Sequence, residues 1–266
     1  MVGVLLCRYG LQQGRGEQLL GVLSEVSQRE WRADYAYTSD YPPPHHANAK
    51  ANYDQQLREA GAYPLIQRGS VQVVICYAGN DGGWWEFVVR GPGPGLDGRF
   101  GKVWGEPLPD LGRTYTVLGL NTQRGPAEDL HSASHWCEER LRQQLPDAYA
   151  AWAGCDHFYH IYRSEDPIPP EAWADFHGAG TCHYAPRSPK CYTYDGVGSE
   201  VWGRTQEGYL RQWLAAIPPE WWGYIIGDEH GVQGNAEGPP PPEGWTPEGV
   251  LTCPPADASN APPALR

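Results

Sequence analysis

The metal-capable side chains of this sequence are concentrated between His131 and Cys191. That stretch holds His131, His135, Cys137, Cys155, His157, His160, His177, Cys182, His183 and Cys191, six of the nine histidines and four of the seven cysteines. Imidazole and thiolate are the groups that zinc takes most readily as ligands. On a helix, His131 and His135 stand four residues apart and Glu138 follows three later, so all three share one face. Two imidazoles and a carboxylate so placed are a ligand set for a catalytic ion. The competing account of the same spacing is a polar helix face whose histidines are solvated.

A second set comprises Cys155, His157 and His160, then Cys182, His183 and Cys191. On a strand, Cys155 and His157 point to one side and His160 to the other. Cys155, His157, Cys182 and Cys191 are therefore the group that suits tetrahedral structural zinc. No two cysteines are separated by two residues, and the thiols read equally well as small buried hydrophobes. A Cys182–Cys191 disulfide is a third reading, for a chain outside the reducing cytosol. For nucleophilic catalysis, Cys137 or Cys182 needs a histidine that only the fold can bring to it. Asp228, Glu229 and His230, after the last apolar run, read as a polar turn.

Cys137 followed two residues later by Glu139, on a helix, is similar to the first motif of the zinc-dependent nucleoside and nucleic-acid deaminases. The resemblance implies a zinc hydrolase with Cys137 as a ligand and Glu139 as the acid/base. The second motif of that family, two cysteines after a proline, is absent. Asp166, Pro167, Ile168 and Pro169 stand where it would be. Under a hydrolase reading Glu138 and Glu139 are the candidate catalytic carboxylates.

The elements that must position these groups follow from periodicity. Val2 to Arg8 reads as a buried strand, and Glu17 to Arg32 as a helix with Leu19, Leu20, Leu23 and Val26 on one face. Three prolines exclude helix from Tyr35 to His46. Ala47 to Ala60 reads as a surface helix stopped at Gly61. Ser70 to Ala78 and Trp84 to Arg90 flank GNDGG and predict a β-hairpin. Residues 91–112 form a Pro/Gly loop. Thr114 to Asn121 predicts a strand, and Ala127 to Leu145 a helix that continues after Pro146. Asp156 to Arg163 predicts a strand, Glu171 to Phe176 a short helix, Cys191 to Tyr194 a strand, Glu207 to Ala216 a helix and Trp221 to Ile226 a last strand. The fold class expected is α/β or α+β: a mixed sheet of about five to six strands with packed helices. Residues 1–226 form one domain, with a sub-boundary in the loop 91–112. Residues 227–266 form a Pro-rich extended tail.

A net charge of −12 argues against nucleic acid and anionic membranes as partners, since both need a basic field. No apolar run reaches the roughly 20 residues of a membrane span. No signal-peptide pattern opens the sequence, which makes the cytosol the default compartment, with a virion component made there as a variant. Twelve Trp and 16 Tyr against 4 Phe are amphipathic aromatics suited to interfaces. In a pair of consecutive tryptophans on a strand, one faces outward. Trp85 and Trp222 from the pairs, with Trp245 in the tail, are the expected partner-binding residues. These features favour an interaction or assembly protein, or a self-assembling one, that binds through the tail and Trp/Tyr surfaces. The alternative is a zinc-dependent hydrolase, deaminase-like in type, centred on residues 131–191. It draws its ligands from His131, His135, Cys137, Cys155, His157, Cys182 and Cys191.

Overall fold

The computed structural model describes residues 1–9, 15–38, 52–78, 86–92, 108–121, 125–154, 178–183 and 206–227. In chain order the elements begin with β1 (Val2–Tyr9), α1 (Arg15–Ser27), β2 (Trp31–Thr38), α2 (Tyr53–Glu59) and α3 (Ala62–Gln67). Then come β3 (Val73–Ala78), β4 (Phe87–Arg90), β5 (Tyr115–Asn121), α4 (Pro126–Gln144) and α5 (Pro146–Ala153). Last are α6 (Gln206–Ala215), a 3-10 turn (Pro219–Trp221) and α7 (Trp222–Ile226). The strands make one mixed five-stranded sheet in the order β2-β1-β3-β5-β4. Only β4 is antiparallel to its neighbour, β5. The protein belongs to the α/β class.

The central strands are apolar on both sides, as a parallel sheet covered on both faces requires. Val2, Val4, Leu6, Val73, Ile75, Leu118 and Leu120 point to one face, where they meet α1, α4, α5, α6 and α7. Leu5, Cys7, Val74, Cys76, Tyr115 and Val117 point to the other, where they meet α2 and α3. Connection handedness explains the split. The crossover from β1 to β2 runs one way along the sheet, and that from β2 to β3 runs back past β1. Right-handed crossovers in opposite directions put their helices on opposite faces.

Four expectations are corrected. The first helix ends at Ser27, where Gln28 takes a left-handed φ of 52°. Trp31–Thr38 is an edge strand whose Trp31 pairs with Val2. Next, α2 is shorter than expected, and although Gln55, Arg58 and Glu59 are exposed its other side packs into the core. It starts at Tyr53, capped by the Asn52 side chain accepting from the Gln55 N–H at 3.1 Å, and buries Tyr53, Gln56 and Leu57. The hairpin between β3 and β4 does not form, because β5 lies between them and pairs with both. Turn chemistry specifies that a chain reverses, but the partner is chosen by burial. β3 and β5, buried on both faces, take the centre, and the four-residue β4 takes the edge.

The last correction concerns Trp221–Ile226, which is helical rather than extended. Pro219 opens the 3-10 turn, and Gly227 ends α7 at a φ of 79°. Buried packing overrides the β-propensity of Trp, Tyr and Ile. Trp221 and Trp222 are both fully buried, so Trp222 is a core residue and not an outward anchor. The Arg140 guanidinium on α4 donates to the Tyr224 carbonyl at 2.9 Å and the Ile225 carbonyl at 3.2 Å, holding the end of α7. Burial lowers its pKa to about 10.

Trp85 and Trp245 lie outside the described residues, as do the tail, the expected elements between 155 and 177 and the Cys191–Tyr194 strand. No helix among the described residues is long and apolar enough to cross a membrane.

Candidate metal centre

The centre is built on α4, which begins directly after β5 with Pro126 at its first position and Glu128 and Asp129 in its first turn. Proline is tolerated there because that N–H has no helical partner, and acids are favoured by the helix dipole. Leu130, Ala133, Trp136, Cys137 and Leu141 turn into the core. His131, His135, Glu138 and Arg142 run at helical spacing along an adjacent stripe.

The second contribution comes from residues 178–183, which are pinned at several points. The Ala179 N–H donates to the Trp152 carbonyl at 2.8 Å and the Gly180 N–H to the Ala153 carbonyl at 3.0 Å. On the other side, Trp213 Nε1–H donates to the Gly180 carbonyl at 3.0 Å and the Tyr209 hydroxyl to the Thr181 carbonyl at 2.7 Å. Gly178 permits the approach, since a Cβ there would sit 2.4 Å from the Ala153 carbonyl oxygen. The segment, held between α5 and α6, lays Cys182 and His183 onto the α4 stripe. Glu86 arrives from just before β4, and its carbonyl accepts from the Gly119 N–H at 3.0 Å near the C-terminal end of β5.

Three imidazoles meet there. The ring centroids of His131, His135 and His183 lie 4.6, 4.7 and 4.8 Å apart. Nε2 of His135 is 2.8 Å from Nε2 of His183, close enough to share one proton. Two nitrogens on one tetrahedral zinc stand roughly 3.4 Å apart, given Zn–N bonds of about 2.0–2.1 Å. An opening of about half an ångström would therefore seat an ion. His131 is fully buried, while the His135 side chain is 17% exposed.

His135 presents its two nitrogens to different surroundings. Nδ1 lies 3.3 Å from Cys182 Sγ and 3.6 Å from Glu138 Oε2. Nε2 faces His183 and, at 3.8 Å, Glu86 Oε2. Glu138 is already engaged, its Oε1 accepting from the Tyr149 hydroxyl at 2.8 Å and its Oε2 from the Cys182 thiol at 3.0 Å. Arg142 adds a cation 3.7 Å from Oε1.

Two ligand-capable groups result, one of His131, His135 and His183 and one of His135, Glu138 and Cys182. The first is the better metal seat. Each of its three residues offers a ring nitrogen within 4.8 Å of the other two, whereas the carboxylate of the second is hydrogen-bonded from both sides. A carboxylate behind the far nitrogen of a ligating histidine is the usual means of orienting it. The same geometry disfavours a Cys182–His135–Glu138 catalytic triad, because thiol and carboxylate both face Nδ1.

The electrostatics differ from one histidine to the next. Burial, with the charges of His135 and His183, lowers His131 to about 2, so it stays the neutral base a metal requires. Burial alone would lower His135, but the adjacent Glu138 and the charges of Glu86 and Glu139 outweigh it and raise its pKa. Burial would raise Glu138, yet His135, Arg142 and the Cys182 thiol hold it at about 2. Burial and the Glu138 charge raise Glu139.

The structure thus brings together His131, His135, Glu138 and Cys182, which the sequence divides between two sets. Cys137 does not join them. It is fully buried among apolar side chains, which push its thiol well above the ordinary range. Neither Cys137 nor Glu139 belongs to a ligand-capable group among the described residues, so the deaminase-like arrangement has no counterpart there. Cys155, His157 and Cys191 lie outside the described residues, and so do His160 and His177. Glu86, Tyr149 and the ligand position of His183 are additions from the structure. His183 carried a signal in its place beside Cys182, but Glu86, one acid after two tryptophans, carried none. Compared with known proteins, the chain matches no family model, no curated protein and no solved structure.

Proposed function

We propose that this chain is a zinc-binding protein and that its metal centre serves hydrolysis. The carrying observation is the convergence of His131, His135 and His183 from two distant stretches, with Glu138 behind His135. Three imidazoles suit zinc and leave the fourth tetrahedral position to water, the pattern of catalytic rather than structural sites. Zinc held there would lower the pKa of its bound water toward neutrality and so would supply a nucleophile for an electrophilic carbon or phosphorus centre. The position supports the reading too, because open α/β sheets take their ligands beyond the C-terminal ends of the parallel strands, and Glu86 stands near that end of β5.

The assembly reading rests on Trp85, Trp245 and the tail, outside the described residues, and on Trp222, which is buried. The metal reading is preferred because a described cluster of ligand-capable side chains supports it. Elemental analysis of the protein purified from zinc-supplemented medium tests it. One zinc per chain is expected, and His131→Ala should lose it while keeping its secondary structure by circular dichroism. Wild-type protein that neither carries zinc nor takes it up on titration would sink the proposal.

A further inference from the structure

The two carboxylates that flank His135 are not equivalent, and the difference assigns a role to the one the sequence did not mark. Glu138 sits on the Nδ1 side, 1% exposed, accepting hydrogen bonds from Tyr149 and Cys182. Glu86 sits on the Nε2 side, 3.8 Å from the nitrogen that meets His183, and its side chain is 23% exposed. An ion held by the three histidines would have Glu138 behind one ligand and Glu86 on the side that solvent reaches. Glu86 immediately precedes β4, and its carbonyl accepts from the Gly119 N–H of β5 at 3.0 Å, which ties its backbone to the sheet. We propose that Glu86 is the general base that takes a proton from metal-bound water and returns it to the leaving group. This inference rests on the zinc reading above.

The step balances without any oxidant or reductant. Glu86 takes one proton from the bound water, and the hydroxide oxygen forms a bond to the acyl carbon of an ester. The bond from that carbon to the leaving oxygen then breaks with its electron pair on the oxygen. A basic alkoxide collects the proton from Glu86, and where a weakly basic phenolate leaves as the anion that proton passes to solvent. One water is consumed, and an acid and an alcohol or phenol are released. General-base assistance of this kind is worth about 100-fold or more in rate.

The test uses the full chain loaded with zinc and 4-nitrophenyl acetate as an activated-ester probe, with Glu86→Gln as the variant. Zinc-dependent hydrolysis by the wild type is expected, and Glu86→Gln should lower it at least about 10-fold. The variant should keep one zinc per chain and an affinity within about 3-fold of wild type, since it removes no ligand. Glu86→Asp should recover part of the rate. A cobalt-substituted sample supplies a readout apart from turnover, because azide added to an open position changes the visible spectrum of both proteins.

Several outcomes would overturn the inference. A 10- to 100-fold loss of metal affinity in Glu86→Gln would make Glu86 a ligand. Undiminished hydrolysis by a fully loaded variant would remove it from the chemistry. A wild type that holds zinc but neither responds to azide nor cleaves the ester would have a closed structural site. That last result leaves the zinc itself standing, whereas absence of zinc from the wild type refutes the parent reading.

Discussion

Cys182, on one face of the sheet, and Cys7 and Cys76, on the other, are equally buried but keep opposite company. On the α2–α3 face, Cys7 and Cys76 are register partners on β1 and β3, surrounded by Leu5, Val74, Val117 and Tyr53. Burial, reinforced by Cys7, pushes the Cys76 thiol well above its ordinary range. These thiols pack as small hydrophobes. On the α4 face, Cys182 is equally buried but donates to Glu138 and lies beside His135. That face also gathers buried Asp129, His131, Ser134, Arg140 and Thr181. Burying so many polar groups costs stability unless each finds a partner. What separates a metal-capable thiol from an inert one is its neighbours, not its burial.

The strongest way to break this contrast is to show that the tryptophans of the α4 face are interface anchors rather than core. Trp222→Ala should destabilise the chain by about 3–5 kcal/mol in urea unfolding, as for other buried large aromatics. A change under about 0.5 kcal/mol, typical of surface positions, would instead mark Trp222 as exposed.

The next effect sharpens the division between ligand and orienting carboxylate. Glu138→Gln should weaken zinc binding by about 10- to 100-fold without abolishing it. The matching change on the other face, Cys76→Ala, should leave zinc binding unaltered. Calorimetric titration of both variants reads the difference directly. Equal effects would erase the distinction between the faces.

The smallest effect is a pH dependence of the metal-free protein. His131 has a folded pKa of about 2, below its ordinary 6.5. Its neutral form is the one the fold accommodates. Its contribution is therefore present above about pH 6.5 and is lost as pH falls from there toward the folded value. Glu138, held at about 2, loses its contribution in the same direction below about 4.5. His135, raised, acts oppositely, its contribution fading as pH rises through its folded pKa. The informative quantity is the stability difference between wild type and His131→Gln. It should shift against the wild type as pH falls from 6.5 to 4.5, followed by urea midpoints. A difference constant with pH would place His131 in contact with solvent.

Much of the scaffold was legible because its signals are local. The α4 stripe follows from helical spacing alone, and α6 and the apolar strands β1, β3 and β5 from runs of a few residues. The errors fell where a local signal admits two partners. GNDGG reverses a chain but does not say that β5 will enter between β3 and β4. Trp222 and Ile225 carry β-propensity, which packing overrode in favour of a helix. At the site, His131, His135 and Glu138 were readable as one face, whereas Glu86 and the position of His183 were not.

The sequence by itself determined the supply of ligands, the helical face that carries two of them and the apolar strands that demand two covered faces. All of these are set by neighbours within a turn or two, where backbone geometry leaves little choice. The tertiary structure alone decided that residues 48 apart, His135 and His183, meet nitrogen to nitrogen. It also decided that Glu138 stands behind His135 while Glu86 stands before it. Those relations depend on how Gly178 and Gly180 let one segment lie against α5, and on which strand takes the centre of the sheet. Both are settled by burial summed over the whole core.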